Sequence, residues 1–153
     1  MPSLPLNLTG RYAEAHQFEN LGGPGDGRPT GLQIIRDEGL EGAWPDKVCL
    51  VTGVSSGMGP STVRALAATG ATVYGTARNL PRARDELGDL LPTGRVHLLF
   101  MDQTDLASVR ACAAEFKARS DKLHILINNA GVRPNHPPVP SLAFTLCRAF
   151  DIE

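Results

Sequence analysis

The chain has 153 residues, a hydrophobic fraction of 42% and a formal net charge of -1, the profile of one ordinary globular domain with a real core. Acidic and basic residues are mixed along it, which removes the electrostatic basis for a nucleic-acid or anionic-membrane partner and favours a small neutral-to-anionic ligand. No stretch approaches the roughly 18 apolar residues of a membrane span, no basic start leads into a long apolar run, and Cys49, Cys112 and Cys147 lack the spacing of a metal site or disulfide framework, so a cytosolic protein with reduced thiols is expected.

Residues 1–46 read as an arm. Pro2 and Pro5, then Gly22, Gly23, Pro24, Gly25 and Gly27, interrupt any regular element. Only residues 32–40 have helical character, with Leu32, Ile35 and Leu40 on a docking face and Arg36, Asp37 and Glu38 expected to face water. Trp44-Pro45 then punctuates the approach to the core.

From Lys47 to Gly131 short β-rich apolar runs alternate with helical segments, which predicts βαβ units and a parallel sheet. Strands are expected at 48–52, 72–76, 96–101 and 125–128. Each is nearly continuous in apolar character, as when helices cover both faces. A first helix over 58–69 turns Val63, Leu66 and Ala67 inward, and Gly70 is placed to end it in a left-handed conformation. A second spans about 81–91. The third follows Thr104 as N-cap and presents Leu106, Val109, Ala113 and Phe116 inward, with Arg110, Lys117 and Arg119 outward. Right-handed crossovers give an α/β, partial Rossmann (doubly wound) fold with strand order 3-2-1-4. Residues 132–153 hold Pro134, Pro137, Pro138 and Pro140 and read as an irregular tail.

Immediately after the first strand stands Thr52-Gly53-Val54-Ser55-Ser56-Gly57-Met58-Gly59, at the point where a dinucleotide pyrophosphate would meet a helix N-terminus. Gly53 permits the tight turn, Gly57 removes a Cβ where phosphate oxygens approach the backbone, and Gly59 lets helix and sheet pack closely. Pro60 costs little so near a helix start, where its missing N–H would have no partner. Gly-rich strand-to-helix turns also occur without a ligand, but here the preceding strand, the following helix and a second βα unit supply the context the motif needs.

The spacing T-G-x-x-x-G-x-G resembles that of the short-chain dehydrogenase/reductase family, and Asn128-Asn129-Ala130-Gly131 at the end of the fourth strand matches the family's N-N-A-G. The resemblance covers about Lys47 to Val132, the tail over 132–153 is expected to have no counterpart in the family, and the start, through Arg11-Tyr12-Ala13 and Gly31-Leu32-Gln33-Ile34-Ile35, resembles an extension found on some fungal members. It implies a nicotinamide dinucleotide held by Gly53, Ser55, Ser56, Gly57, Met58 and Gly59, with Asn129, Ala130 and Gly131 beside it and Asp102 matching the family aspartate that accepts from the adenine amino group. The alternative for Asp102 is a capping role beside Thr104.

The end of the second strand is where a carboxylate would bind the ribose hydroxyls of NAD. The sequence there reads Thr76-Ala77-Arg78-Asn79, and a guanidinium favours the 2′-phosphate of NADP. NAD stays open, because the alternative is a solvated arginine at a strand end. Arg82 and Arg84 are near enough to assist or to be bystanders.

The resemblance also implies hydride transfer between nicotinamide and a carbonyl or alcohol carbon, with proton transfer by a Tyr in Y-x-x-x-K. That pair is absent: Tyr12 is followed by His16 and Tyr74 by Arg78, and Ser141, among prolines, does not match the family's catalytic serine. His97 and His124 at strand starts and His136 in the tail have no metal or nucleophile spacing and read as structural or surface groups. The expectation is an oxidoreductase-family chain that keeps cofactor binding and is truncated before its catalytic residues. The competing readings are a non-catalytic nucleotide- or partner-binding module and a flavodoxin-like domain whose glycines only turn corners.

Overall fold

Successive side chains along a strand point to opposite faces of its sheet, so each strand residue's face follows from its parity. The computed structural model describes residues 9–23 and 25–131. The predicted tail, with His136, Ser141, Cys147 and its prolines, lies outside them. Four strands, β1 (Val48–Thr52), β2 (Thr72–Ala77), β3 (Val96–Phe100) and β4 (Ile125–Ile127), form one sheet. Its order is β3-β2-β1-β4, as expected, and all three pairings are parallel.

The helices are α1 (Gly31–Asp37), α2 (Met58–Ala68), α3 (Leu80–Leu87) and α4 (Leu106–Arg119). On one face of the sheet Cys49, Val51 and Val73 meet Val63 and Leu66 of α2 and Ala83 and Leu87 of α3. On the other, Leu50, Tyr74, Leu99 and Met101 meet Val109, Cys112, Ala113 and Phe116 of α4. This period-two division of β1 and β2 explains why both faces had to be apolar. Burying Leu50, Leu87 and Leu99 completely is worth roughly 1.5–3 kcal/mol each. Tyr74 closes the second core, its ring edge-on to Phe116 at 4.9 Å and tilted on His97 at 5.0 Å.

Two helices depart from the sequence reading. Helix α3 stops at Leu87, because the following chain tightens into a one-turn 3-10 segment, Leu91–Thr93, whose end is Gly94 at φ +71°. The N-cap of α4 is Asp105, which accepts from the Ala107 N–H; Thr104 instead donates its N–H and hydroxyl to Asp102. Leu106, the first residue of that helix, is consequently exposed rather than inward.

The N-terminal segment is also more structured than its glycines and prolines suggest. Single 3-10 turns occupy Glu14–His16 and Phe18–Asn20. The Tyr12 hydroxyl donates to Asp37 Oδ2 at 2.9 Å, and Arg11 reaches the Asp37 carbonyl at 2.7 Å and Glu38 at 3.3 Å. Asp37 and Glu38 therefore clasp the arm rather than simply facing water. Buried Ile35 docks α1 on the domain, and the Gly42 and Trp44 N–H groups bond the Ala68 and Thr69 carbonyls at 3.0 and 2.8 Å, capping the C-terminal end of α2. Among the described residues no helix is long and apolar enough to cross a membrane.

Candidate nucleotide-binding site

After β3 the chain crosses back through α4 to place β4 beside β1, so the direction of strand progression reverses between β1 and β4. A crevice opens at such a reversal, outside the carboxyl ends of the strands. Here it is a groove of about 610 Å³.

The loop from Gly53 to Gly57 forms one wall. The Gly53 and Val54 N–H groups both donate to the Thr76 carbonyl, at 2.9 and 3.0 Å, pinning the loop to the end of β2. Val54 then fills the space that a Cβ on Gly75 would need, its Cγ2 lying 2.8 Å from that position. Gly57 sits at φ +66°, ψ -134°, and nothing lies within 4 Å of where its Cβ would be. Gly57 lines the groove beside the start of α2, where no side chain caps the first turn. Free N–H groups and the positive helix end therefore face open space suited to an anion. Gly59 does not line the groove. It lies behind it, where a Cβ would run into the Gly53 carbonyl oxygen, the close helix-to-strand contact expected of it.

The end of β4 is tied to the same loop. Asn129 Nδ2 donates to the carbonyls of Thr52 and Gly53 at 2.9 and 3.1 Å, and the Ala130 N–H donates to Thr52 Oγ1 at 3.0 Å. These bonds hold Ala130 and Gly131 at the groove.

At the other end stand exposed Arg78, following β2, and Asp102, following β3. Asp102 Oδ1 accepts the Thr104 N–H at 2.9 Å and its hydroxyl at 2.8 Å. The Thr104 N–H and then its hydroxyl hold this carboxyl below the usual range, and the Arg78 charge adds to the effect. Thus Gly53, Ser55, Ser56, Gly57, Met58, Arg78, Asp102, Asn129, Ala130 and Gly131 are brought to one groove. Thr76, Asn79, Arg82, Gln103 and Thr104 also line it. Of these, Asn79 carried a readable signal: it precedes Leu80-Pro81 as an N-cap would, and its Oδ1 accepts from the Arg82 N–H.

His97 and His124 lie elsewhere. Burial holds the His97 imidazole pKa down, with Arg119 adding to the effect, and His124 Nδ1 accepts the Val48 N–H at 3.0 Å in a structural role. Among the described residues no three His, Cys, Asp or Glu side chains gather as a metal would require.

A glycine-turned loop, an uncapped helix and a switch-point groove define a Rossmann-type domain. Residues 47–147 match the family described as short chain dehydrogenase, and the chain belongs to that family. The match continues past Val132, where the motif-based resemblance stopped, because that segment carries no glycine signature from which it could be read. The chain is 45% identical over 123 residues to the short-chain dehydrogenase/reductase prx1 of Penicillium roqueforti, covering 80% of this chain and 36% of that protein. It thus spans about a third of that relative's length. Among solved structures it resembles the Pseudomonas aeruginosa RhlG/NADP active-site complex, with a TM-score of 0.59, 26% identity, and coverage of 69% of this chain and 46% of that one. It also resembles the NADPH-bound carbonyl reductase from chicken fatty liver, with a TM-score of 0.57, 25% identity and coverage of 68% and 46%. The family's fold binds nicotinamide dinucleotides.

Proposed function

We propose that this chain binds NADP(H) through its adenosine and pyrophosphate parts, as the cofactor-binding portion of an oxidoreductase that interconverts a carbonyl and an alcohol. The observation that carries the NADP reading is Arg78: an exposed guanidinium lining the groove at the end of β2, where an NAD site would carry a carboxylate. Among the described residues the only acid lining the groove is Asp102, whose Oδ1 already accepts from Thr104.

The first-turn N–H groups of α2 and the loop between Gly53 and Gly57 would hold the pyrophosphate, Asp102 would accept from the adenine amino group, and Ala130 and Gly131 would bound the groove beside β4. The bound nicotinamide supplies the hydride acceptor or donor. Proton transfer needs a tyrosine whose pKa of about 10 is lowered by a neighbouring lysine, and this sequence contains no Tyr-x-x-x-Lys. The chain by itself is therefore proposed to bind cofactor without turnover. Cys49 and Cys112 are buried free thiols, which suits a reducing, cytosolic setting.

Titration of the purified chain with NADP and NAD tests this reading. Tighter binding of NADP, with the preference lost in Arg78→Ala, supports it; equal affinities, or a preference for NAD, contradict it. The second reading, a non-catalytic binding module, rests on the same missing Tyr-x-x-x-Lys. A cooperative melt that rises with NADP fits both readings; NADPH oxidation with any of a panel of carbonyls would contradict the non-catalytic module.

A further inference from the structure

A second hollow, of about 360 Å³, lies between α1, α2 and the turn that leads into β3, and it shares no residue with the nucleotide groove. Its volume is within the range of small-molecule sites. Small residues on α2 create it. Gly31 brings the start of α1 against that helix, where an added Cβ would stand 3.0 Å from the Ala65 Cβ, and Ile35 buries the next turn. Leu32 of α1 then forms one wall, Ala67 and Ala68 of α2 a second, and Leu90 a third. The two alanines reach no further than a methyl group, so the space between these elements stays unfilled.

Two guanidiniums border this apolar lining, and their charges are balanced differently. Arg64 donates to the Asp89 carboxylate and, at 2.6 Å, to the Glu86 carbonyl, so its charge is paired. Arg95 donates from Nη1 to the Gly70 and Pro45 carbonyls at 2.6 and 3.2 Å, which fixes the side chain without neutralising it. Among the described residues Arg95 has no carboxylate partner, its Nε and Nη2 make no bond, and no acid lines the hollow. The Thr93 hydroxyl offers nothing in their place, because it donates to the Leu90 carbonyl at 2.6 Å and accepts the Arg95 N–H at 3.3 Å.

Nε and Nη2 form the edge of a guanidinium that donates two parallel bonds to one carboxylate. An apolar hollow bordered by that unused edge is complementary to a short apolar chain that ends in a single negative charge. We propose that the hollow between α1 and α2 is a second binding site, for a small amphipathic carboxylate: its chain lies on Leu32, Ala67, Ala68 and Leu90, and its carboxylate accepts from Nε and Nη2 of Arg95. Burial of the chain supplies affinity in proportion to the apolar area removed from water, and the fork selects an acid over a neutral molecule of the same length. This site is independent of the nucleotide groove.

Backbone amide shifts of the isotopically labelled full chain, followed during titration with octanoate, 1-octanol and acetate, separate the charge from the chain. Octanoate is expected to give saturable shifts at Leu32, Ala68, Leu90 and Arg95 and none at Gly57 or Arg78. Octanol, which lacks the charge, and acetate, which lacks the chain, should each bind about ten-fold more weakly or worse. Ala68→Leu fills the hollow and should weaken octanoate by about ten-fold while leaving NADP affinity unchanged. Arg95→Gln removes the fork and should bring octanoate down to the affinity of octanol. It also removes the bonds to Gly70 and Pro45; if it fails to fold, the comparison of octanoate with octanol on the wild type still tests the fork. Octanol binding as tightly as octanoate overturns the role of Arg95. Octanoate shifts that are absent or centred elsewhere, or an octanoate affinity that survives Ala68→Leu, overturn the site.

Discussion

Gly53 and Ala130 meet backbone to backbone: a Cβ on Gly53 would fall 2.8 Å from both Cα and Cβ of Ala130, and Gly53 itself sits at φ +73°. The phosphate loop and the end of β4 are therefore one packed unit, and the position admits no side chain. Gly53→Ala combines a positive φ, worth about 1–3 kcal/mol, with overpacking of about 1–3 kcal/mol. The variant is expected to melt roughly 10 °C below the wild type. A melting temperature within a degree or two of the wild type would show that the contact is not a constraint.

Gly57 separates binding from packing more cleanly. Its φ of +66° is costly for other residues, but the space where a Cβ would stand is empty. Gly57→Val should cost only the conformational penalty of roughly 1–3 kcal/mol, yet abolish dinucleotide binding by filling the approach to the first turn of α2. Titration with NADP by tryptophan fluorescence or calorimetry reads the second effect, and thermal melting the first. Retained affinity would mean that the phosphates lie elsewhere.

Thr76 Oγ1 is the one buried side-chain polar atom among the described residues without a hydrogen-bond partner. An unsatisfied buried hydroxyl costs about 1–3 kcal/mol, so Thr76→Val, of similar shape, is expected to raise stability by about 1 kcal/mol. Chemical denaturation measures this directly. Destabilisation would indicate that the hydroxyl is satisfied by bound water in solution.

The clasp between Tyr12 and Asp37 confines docking of the N-terminal arm to a pH window. The Tyr12 hydroxyl, and then Gln33, hold the Asp37 carboxyl below its ordinary pKa, so its contribution is full above about pH 3.9 and is lost as the pH falls further. Burial and then Asp37 itself push the Tyr12 hydroxyl upward, so that contribution is full below about pH 10 and is lost as the pH rises through the shifted value. Proteolysis near Arg11 should be slow inside the window and fast on both sides of it. Tyr12→Phe should remove the protection lost in alkali while leaving the Arg11 bonds to residues 37 and 38 in place. Protection that is flat with pH would refute the clasp.

The sheet was readable because its determinants are local. Each strand is a nearly continuous apolar run, and the parity of Leu50 and Tyr74 against Cys49, Val51 and Val73 sorts them onto two helix-covered faces. The glycine loop was readable because Gly53, Gly57 and Gly59 are each required by backbone geometry. What could not be read is long-range or depends on choices between adjacent polar residues. The bonds from Arg11 and Tyr12 to Asp37 join residues 26 and 25 positions apart, and no periodicity announces such a pairing. Thr104 and Asp105 are both good N-caps, and only the Asp102 turn, which engages Thr104, leaves the cap to Asp105. That Arg82 lines the groove and Arg84 does not follows from where α3 begins, which Asn79 fixes one residue earlier than the pattern suggested.

Mapping the backbone amide shifts of the isotopically labelled chain during titration with NADP shows whether the groove between the Gly53–Gly57 loop and Arg78 holds a nicotinamide dinucleotide. Saturable shifts are expected at Gly53, Ser55, Ser56, Gly57 and Met58, at Arg78, and at Asp102, with the helix surface around Arg64 undisturbed. Shifts centred away from these residues, or none at millimolar NADP on a folded protein, would contradict binding there.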